Sequence, residues 1–176
     1  MKSLLITLFI ITAFLASSQT VNYHSFPDSN AFWNYQRKLV ATPGPPLEYS
    51  IEISGDTVIN SISYQKLNRP YAIPFYLIEN SDWFLGYLGA IREDEAEKKV
   101  YYLPEDSTEE ILLYDFNLEV GDTVRGYLKS EFSEDPSVVA SIDSILVGSS
   151  YRKRWLINEN YRIYIIEGIG STYGLV

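Results

Sequence analysis

The sequence predicts an all-β fold: one antiparallel domain of about nine or ten strands built from successive hairpins. The chain contains 15 tyrosines and 8 phenylalanines, and aromatic residues favour pleated, half-buried surfaces. Apolar and polar residues alternate in several short segments, and turn-forming residues separate these segments at the spacing of a sandwich or a partly open barrel. After the apolar N-terminal segment, no window of about ten residues or more has a helical period.

The N-terminal segment has the features of a secretory signal peptide. One lysine precedes an apolar run from Leu4 to Leu15, and Ala16 and Ser18 stand at the −3 and −1 positions of a signal-peptidase site. The run is shorter than the roughly 20 apolar residues of a membrane-spanning helix. We therefore expect a signal peptide at 1–18, a mature β-rich domain at 19–176, and no membrane span after cleavage.

Composition narrows the classes of partner and of site. The absence of cysteine excludes a disulfide framework and a thiolate metal site. The net charge of −9 argues against nucleic acid and anionic membrane surfaces as partners, because both require a basic face.

The first strands are predicted on either side of residue 60. In "LEYSIEIS", Leu47, Tyr49, Ile51 and Ile53 should share one face of a sheet, with polar residues opposite. "DTVIN" and "SYQKL" should follow as a hairpin. Upstream, "SFPDSNAFWNYQ" is predicted to form one capped turn, with Asp28 or Ser29 as the cap and Trp33 turned inward.

The later strands are predicted in pairs. Gly121 should turn the chain between two of them, and "NRPYAIPFYLIEN", which contains Pro70 and Pro74, should be an edge strand or a covering loop. "ATPGPP" (41–46) should be a stiff loop. The paired segments are "WFLGYLGAIRED" with "KKVYYLP", "EEILLYDF" with "DTVRGYLKSEF", and "SVVASIDSILVG" with "SYRKRWLI", followed by "YRIYIIEG" as the last strand.

A loose repeat raises the question of a site. Asp56, Tyr64 and Lys66 have the same spacing as Asp143, Tyr151 and Lys153, and a small polar turn lies within each copy. Turn residues in the middle and a lysine that covers the tyrosine ring or reaches the acid across the hairpin explain the pattern structurally. We interpret both copies as hairpins rather than as sites.

Few residues in the sequence are suited to catalysis or metal binding. His24 is the one histidine, and a lone histidine near the N-terminus is a weak basis for a catalytic triad or a zinc site. "REDEAE" and "EDSTEE" offer oxygen ligands for calcium but lack the alternating acids and central glycine of a dedicated loop. We therefore assign no catalytic, cofactor-binding or metal-ligating residue, and we expect no cofactor.

Three further features of the sequence are the glycines near its C-terminal end, Glu167 and the tryptophans. Gly168, Gly170 and Gly174 do not follow the spacing of a dinucleotide-binding loop, so we expect them to turn the chain off the last strand. We predict that Glu167, after an apolar run, pairs with Arg152 or Arg154. Three tryptophans could line a sugar-binding face or fill the core, and we favour the core: Trp33, Trp83 and Trp155.

Several segments, in order, resemble an uncharacterised family of secreted Bacteroidota proteins that carry a C-terminal type IX secretion sorting domain. The resemblance covers most of residues 24–175 and implies export across both membranes, then release or attachment at the cell surface. No sorting tail follows "STYGLV", so we expect either a fragment or a periplasmic protein. The segments are "FPDSNAFW", "SGDTVINSISYQKL", "GAIREDEAEKKVYYLP", "EEILLYDFNLEVGDTV", "VASIDSILVGSSYRKRWLI" and "IEGIGSTYGL".

Three functions remain open at the level of sequence. The favoured one is an exported, non-catalytic surface or interaction module that binds a glycan or an envelope protein. A hydrolase of extracellular polymers would instead need an Asp/Glu pair roughly 5 to 9.5 Å apart in a groove. A carrier of small apolar ligands would need a closed barrel with an internal cavity.

Overall fold

The computed structural model describes residues 22–37, 47–73, 85–126, 137–158 and 162–176. In these ranges the protein has no helix, and its strands form two antiparallel sheets. The predicted all-β class is therefore confirmed. The strands are β1 (Phe32–Arg37), β2 (Leu47–Ile59), β3 (Ile62–Ile73), β4 (Gly86–Asp94), β5 (Lys99–Pro104), β6 (Ile111–Asp115), β7 (Ser141–Val147), β8 (Ser150–Asn158), β9 (Ile163–Ile166) and β10 (Gly170–Ser171).

The larger sheet follows chain order from β1 to β6 and curls into a half-barrel. Irregular pairing contributes to the curl, because a bulge increases the local twist of a strand. Between Ile53 and Asp56 the register of β2 against β3 shifts by one residue, and Gly55 in this bulge has φ +108°. Pro70 lies at a second shift, beyond the residues of β3 that pair with β4. A proline is tolerated there because it has no N–H for a ladder.

The smaller sheet has the order β10-β9-β8-β7 and closes over the concave side of the half-barrel. One hydrophobic core contains residues from both sheets, so the two sheets are held together by buried apolar area. Its largest fully buried side chains are Trp155, Tyr114, Ile51, Leu67, Ile91, Leu113, Ile165, Leu175, Val100 and Val139.

The predicted alternation of core-facing and outward-facing residues in "LEYSIEIS" is confirmed where the structure describes the side chains. Tyr49, Ile51 and Ile53 contribute to the core from one face of β2. "LEYSIEIS" and "DTVIN" are one continuous strand rather than two. Trp33 is turned inward as expected, packs on the core, and donates a hydrogen bond to the carbonyl oxygen of Ile169 at 2.9 Å.

Two local predictions were wrong. Residues 22–31 form an irregular segment with a bend at 29–30 instead of a capped helical turn. The backbone amide of Phe26 bonds to a side chain of β4, so tertiary contacts replace a local cap. The second is the strand predicted at "DTVRGYLKSEF", after the turn at Gly121 with φ +95°: its described residues 122–126 form only a single bridge, between Thr123 and Val138, and its residues 127–132 lie outside the described residues.

Candidate functional site

The segment 22–31, hereafter the N-terminal segment, packs on the core through Tyr23 and Phe26 and is anchored to Glu93 of β4. Glu93 lies opposite Val100, a core residue of β5, so its side chain points to the concave face of the sheet. Both oxygens of its carboxylate accept the backbone N–H of Phe26 at 3.0 Å, and one also accepts the hydroxyl of Tyr23. The carboxylate of Glu93 thus accepts a hydrogen bond that the backbone of this irregular segment would otherwise form with water.

A second anchor joins the N-terminal segment to the smaller sheet. His24 Nδ1 lies 3.0 Å from Glu167 Oε2, and Glu167 is only 4% exposed. Our prediction that Glu167 pairs with Arg152 or Arg154 was wrong for the carboxylate. Arg152 donates to the main-chain oxygen of Glu167 at 3.1 Å, and Arg154 forms a bidentate pair with Asp143 across the β7–β8 hairpin.

Close packing at Gly168 completes this anchor. Gly168 has φ +64°, and a Cβ at this position would lie 2.5 Å from Arg152 Nη1 and 2.6 Å from the His24 carbonyl oxygen. Gly170, with φ +110°, is similarly crowded by the Tyr114 ring. The prediction that these glycines turn the chain is confirmed for Gly168, which lies in the turn at residues 167–169 between β9 and β10. It was wrong for Gly170, which begins the further strand β10, and for Gly174, which lies outside any turn.

Beside the N-terminal segment the structure has a polar depression, hereafter the mouth groove. It consists of two adjoining parts of about 490 and 530 Å³ that share Asp28, Ser63 and Gln65. One wall is the N-terminal segment, and the other is formed by β2, β3 and β4. The residues that line it are Ser25, Phe26, Pro27, Asp28, Ser29, Asp56, Thr57, Val58, Ser63, Tyr64, Gln65, Ile91, Arg92, Glu93 and Glu95.

The charged residues in the lining of the mouth groove are mostly acidic. Among the described residues, four carboxylates line it, those of Asp28, Asp56, Glu93 and Glu95, against one cation, Arg92. Burial raises the pKa of Glu93, and its hydrogen bonds to Tyr23 and Phe26 oppose this effect. Because its described carboxylates outnumber its described cations, the groove attracts positively charged groups.

Arg92 does not neutralise the groove, because it is committed to a cluster on the opposite face of the larger sheet. Its guanidinium forms a bidentate pair with Glu110, with Nη2 at 2.7 Å from Oε2, and stacks over the Tyr101 ring at 4.4 Å. Tyr64 donates to the same carboxylate at 2.6 Å. These hydrogen bonds, led by that of Arg92, lower the pKa of Glu110. Burial, followed by the bond to Glu110, raises the pKa of Tyr64.

The two copies of the Asp…Tyr-x-Lys pattern are both hairpins, as interpreted, but they are not structurally equivalent. The first turns at Asn60–Ser61 and the second at Gly148–Ser149, one residue later relative to the aspartate. A shift by one residue exchanges the faces of a strand. Tyr64 is consequently buried, at 3% exposure, whereas Tyr151 is 65% exposed.

The charged residues of the two copies differ as well. Asp143 pairs with Arg154 rather than with Lys153. Lys153 lies with its Nζ 6.0 Å from the Trp155 ring. In the first copy Asp56 is opposite Gln65, lines the mouth groove, and is exposed.

The remaining candidates have structural positions. Trp155 is fully buried and Trp33 stacks on Phe26 with ring centroids 5.7 Å apart, while Trp83 lies outside the described residues. "REDEAE" spans the end of β4 and the following turn, and "EDSTEE" connects β5 to β6. Across the described ranges, no group of three or more His, Cys, Asp or Glu side chains is placed to hold a metal ion.

One feature of the sequence indicates the mouth groove: the position of Glu93 on β4. Ile91 and Glu93 are two residues apart on β4 and therefore share a face, so an acid stood at an inward position of an apolar strand. Asp28 and Ser63 carry no such signal, because the fold alone brings them to the same groove. In the part of the chain that the structure covers, no helix is long and apolar enough to cross a membrane.

Comparison with known proteins adds no relative from which a site could be transferred. No protein-family model, curated protein or solved structure matches the chain. We therefore infer the function from the geometry and charge of the mouth groove.

Proposed function

We propose that this chain is an exported, non-catalytic interaction protein that binds a basic, polar segment of an envelope or cell-surface protein in the mouth groove. The observation that carries the proposal is the groove itself, an open concave surface with four carboxylates. The signal-peptide pattern before Gln19 supports export, and the resemblance to secreted Bacteroidota proteins supports a location at the cell surface.

Charge is the reason for preferring a basic partner. Arg92 is the one cation among the described residues of the lining, and Glu110 already neutralises it by a bidentate pair. Asp28 and Asp56 are exposed on opposite walls of the groove, and both are open to a lysine or arginine of the partner. Ser63 and Gln65 line the same part of the groove, and their hydroxyl and amide groups offer hydrogen bonds to a peptide backbone.

The hydrogen bonding of the acids favours binding over catalysis. A carboxylate pair for hydrolysis needs one group free to protonate the leaving group and another free to attack or activate water. Both oxygens of Glu93 are already bonded to the N-terminal segment, and Glu110 is bonded to Arg92 and Tyr64. Glu93 and Glu110, the two acids with shifted pKa values at or near the groove, are therefore both committed to hydrogen bonds within the protein.

The other proposed ligands have less support. Sugar-binding surfaces use exposed aromatic rings, but Phe26 and Tyr64 in the groove are buried, and Trp33 and Trp155 pack in the core. A carrier of apolar ligands needs an internal cavity, whereas the space between the two sheets is filled by the core side chains.

Calorimetric titration with two peptides of equal length, one lysine-rich and one glutamate-rich, tests this proposal. We expect saturable binding of the lysine-rich peptide only, weakened by added salt because the charges lie in solvent. The double variant Asp28→Asn, Asp56→Asn should weaken binding by about tenfold or more, equivalent to about 1.4 kcal/mol.

A matched control separates the groove from the overall negative charge. Asp106→Asn, at an exposed turn after β5, removes one carboxylate away from the groove and should leave the affinity unchanged. Equal weakening by Asp106→Asn and by Asp56→Asn alone would refute a specific groove. Binding of neutral oligosaccharides in a glycan array, without binding of the basic peptide, would instead support the glycan alternative.

A further inference from the structure

Among the residues that the structure describes, strand β7 is an open edge of the smaller sheet. In the described part of the chain it pairs with β8 on one side and with no strand on the other. Val139, just before β7, still exchanges hydrogen bonds with Gly121 and Asp122, so the open edge begins at Ser141. An unpaired edge exposes a row of backbone N–H and C=O groups that can pair with another strand.

The register of the β7–β8 hairpin identifies the backbone groups that face outward. Val147 and Ser150 flank the two-residue turn, and such a closing pair exchanges both hydrogen bonds. Hydrogen-bonded and non-hydrogen-bonded pairs then alternate along an antiparallel ladder. The N–H and C=O groups of Ile142, Ser144 and Leu146 therefore point away from β8, toward the open edge.

Exposed apolar side chains lie beside these groups. Leu146 is 55% exposed and Tyr151, its cross-strand partner on β8, is 65% exposed. Native edge strands usually avoid self-association by means of lysine, proline or inward-pointing charges. β7, with the sequence "SIDSILV", has no lysine or proline, and its one charge, on Asp143, is neutralised by Arg154.

We propose that β7 is a self-association surface and pairs antiparallel with β7 of a second copy of this chain, joining two four-stranded sheets into one. The pairing is centred on Ser144, which lies opposite Ser144 of the second copy. Ile142 of each copy then lies opposite Leu146 of the other, so all three residues with outward backbone groups take part. The contact is self-complementary, as a twofold dimer requires.

Two alternative registers are less favourable. A shift by one residue would place the apolar face of one copy beside the polar face of the other. A shift by two residues in one direction places Asp143 directly opposite Asp143, and like charges opposite one another are destabilising. A shift by two in the other direction moves Ile142 opposite the turn residue Gly148 and loses a pair. This inference does not depend on the mouth groove.

Sedimentation equilibrium of the purified protein over a range of micromolar concentrations tests the dimer. We expect a reversible monomer–dimer equilibrium. Leu146→Lys places a charge against Ile142 of the second copy and should weaken dimerisation by about tenfold or more. Ser144→Pro removes an outward N–H without removing a bond to β8 and should have the same effect.

The control variant is Val120→Lys, which replaces another exposed apolar residue, 63% exposed in the turn after β6. It should leave the equilibrium unchanged. A protein that is monomeric at every concentration would overturn the proposal. So would a dimer that Leu146→Lys leaves intact while circular dichroism shows that the variant is folded.

Discussion

At the scale of single residues, the site depends on a few positions at which distant parts of the chain meet. Glu93 fixes Tyr23 and Phe26, while Glu167 holds His24. Gly168 matters for a different reason, because the backbone of the N-terminal segment passes where any side chain would stand. The wall of the mouth groove is thus held in place by the carboxylates of Glu93 and Glu167. It also requires glycine at position 168, because the packing there leaves no room for a Cβ.

Two glycines with almost the same φ provide a pair of variants for comparison. Gly148 has φ +60° and nothing within 4 Å of a Cβ, whereas Gly168 has φ +64° and contacts as close as 2.5 Å. Gly148→Ala should cost about 1 kcal/mol of unfolding free energy from backbone strain alone. Gly168→Ala should cost about 2 kcal/mol more from overpacking.

Urea denaturation of both variants measures this difference. Equal losses for Gly148→Ala and Gly168→Ala would mean that the N-terminal segment is not packed on this turn. A loss confined to Gly168→Ala, with no cost at Gly148, would contradict the backbone-strain estimate but retain the packing.

These residue contacts were the least predictable from sequence. His24 and Glu167 are 143 positions apart, and nothing in either local sequence names the other. Arg152 and Arg154 were predicted as partners of the Glu167 carboxylate because they are close to it in the sequence. Arg152 instead donates to the main-chain oxygen of Glu167, and Arg154 pairs with Asp143. The apolar residues before Glu167 in the sequence implied that its side chain would be buried. Only the fold determined that its partner is His24.

At the scale of strands, the alternation of apolar and polar residues predicted most of the strands. The position of each turn determined which side chains are buried and which are exposed. The spacing of Asp, Tyr and Lys is identical in the two hairpins, yet the two-residue turns differ by one position. That difference places Tyr64 in a buried cluster and Tyr151 in solvent. The sequence repeat therefore did not correspond to a structural repeat, and only the turn position could reveal this.

The turns themselves make a prediction for the β2–β3 hairpin. Asn60 and Ser61 both have positive φ, 51° and 67°, which suits asparagine and glycine better than serine. Ser61→Gly should raise the unfolding free energy by about 0.5 to 1 kcal/mol by relieving this strain. Thermal denaturation should show a higher melting temperature.

The corresponding change in the β7–β8 hairpin is the control. Ser149 does not have a positive φ, so Ser149→Gly relieves no strain and should not stabilise the protein. If both changes raised the melting temperature equally, the assigned turn conformations would be incorrect.

At the scale of the whole molecule, a curled six-stranded sheet and a four-stranded sheet share one core, and the N-terminal segment packs on this core. Composition predicted the all-β class because aromatic and β-branched residues fill such a core. The groove was not predictable, since Asp28, Asp56 and Glu93 come from three separate elements. An acidic chain with an acidic concave surface and an open sheet edge is consistent with a protein that works by association.

The most direct test of this account is a map of amide chemical-shift changes in the isotopically labelled protein during titration with the lysine-rich peptide. We predict that the largest changes cluster at the mouth groove, in residues 25–29 and 56–58 and at Ser63, Gln65 and Glu95. Changes concentrated on β7 and β8, or spread evenly over the acidic surface, would contradict the assignment of the mouth groove as the binding site.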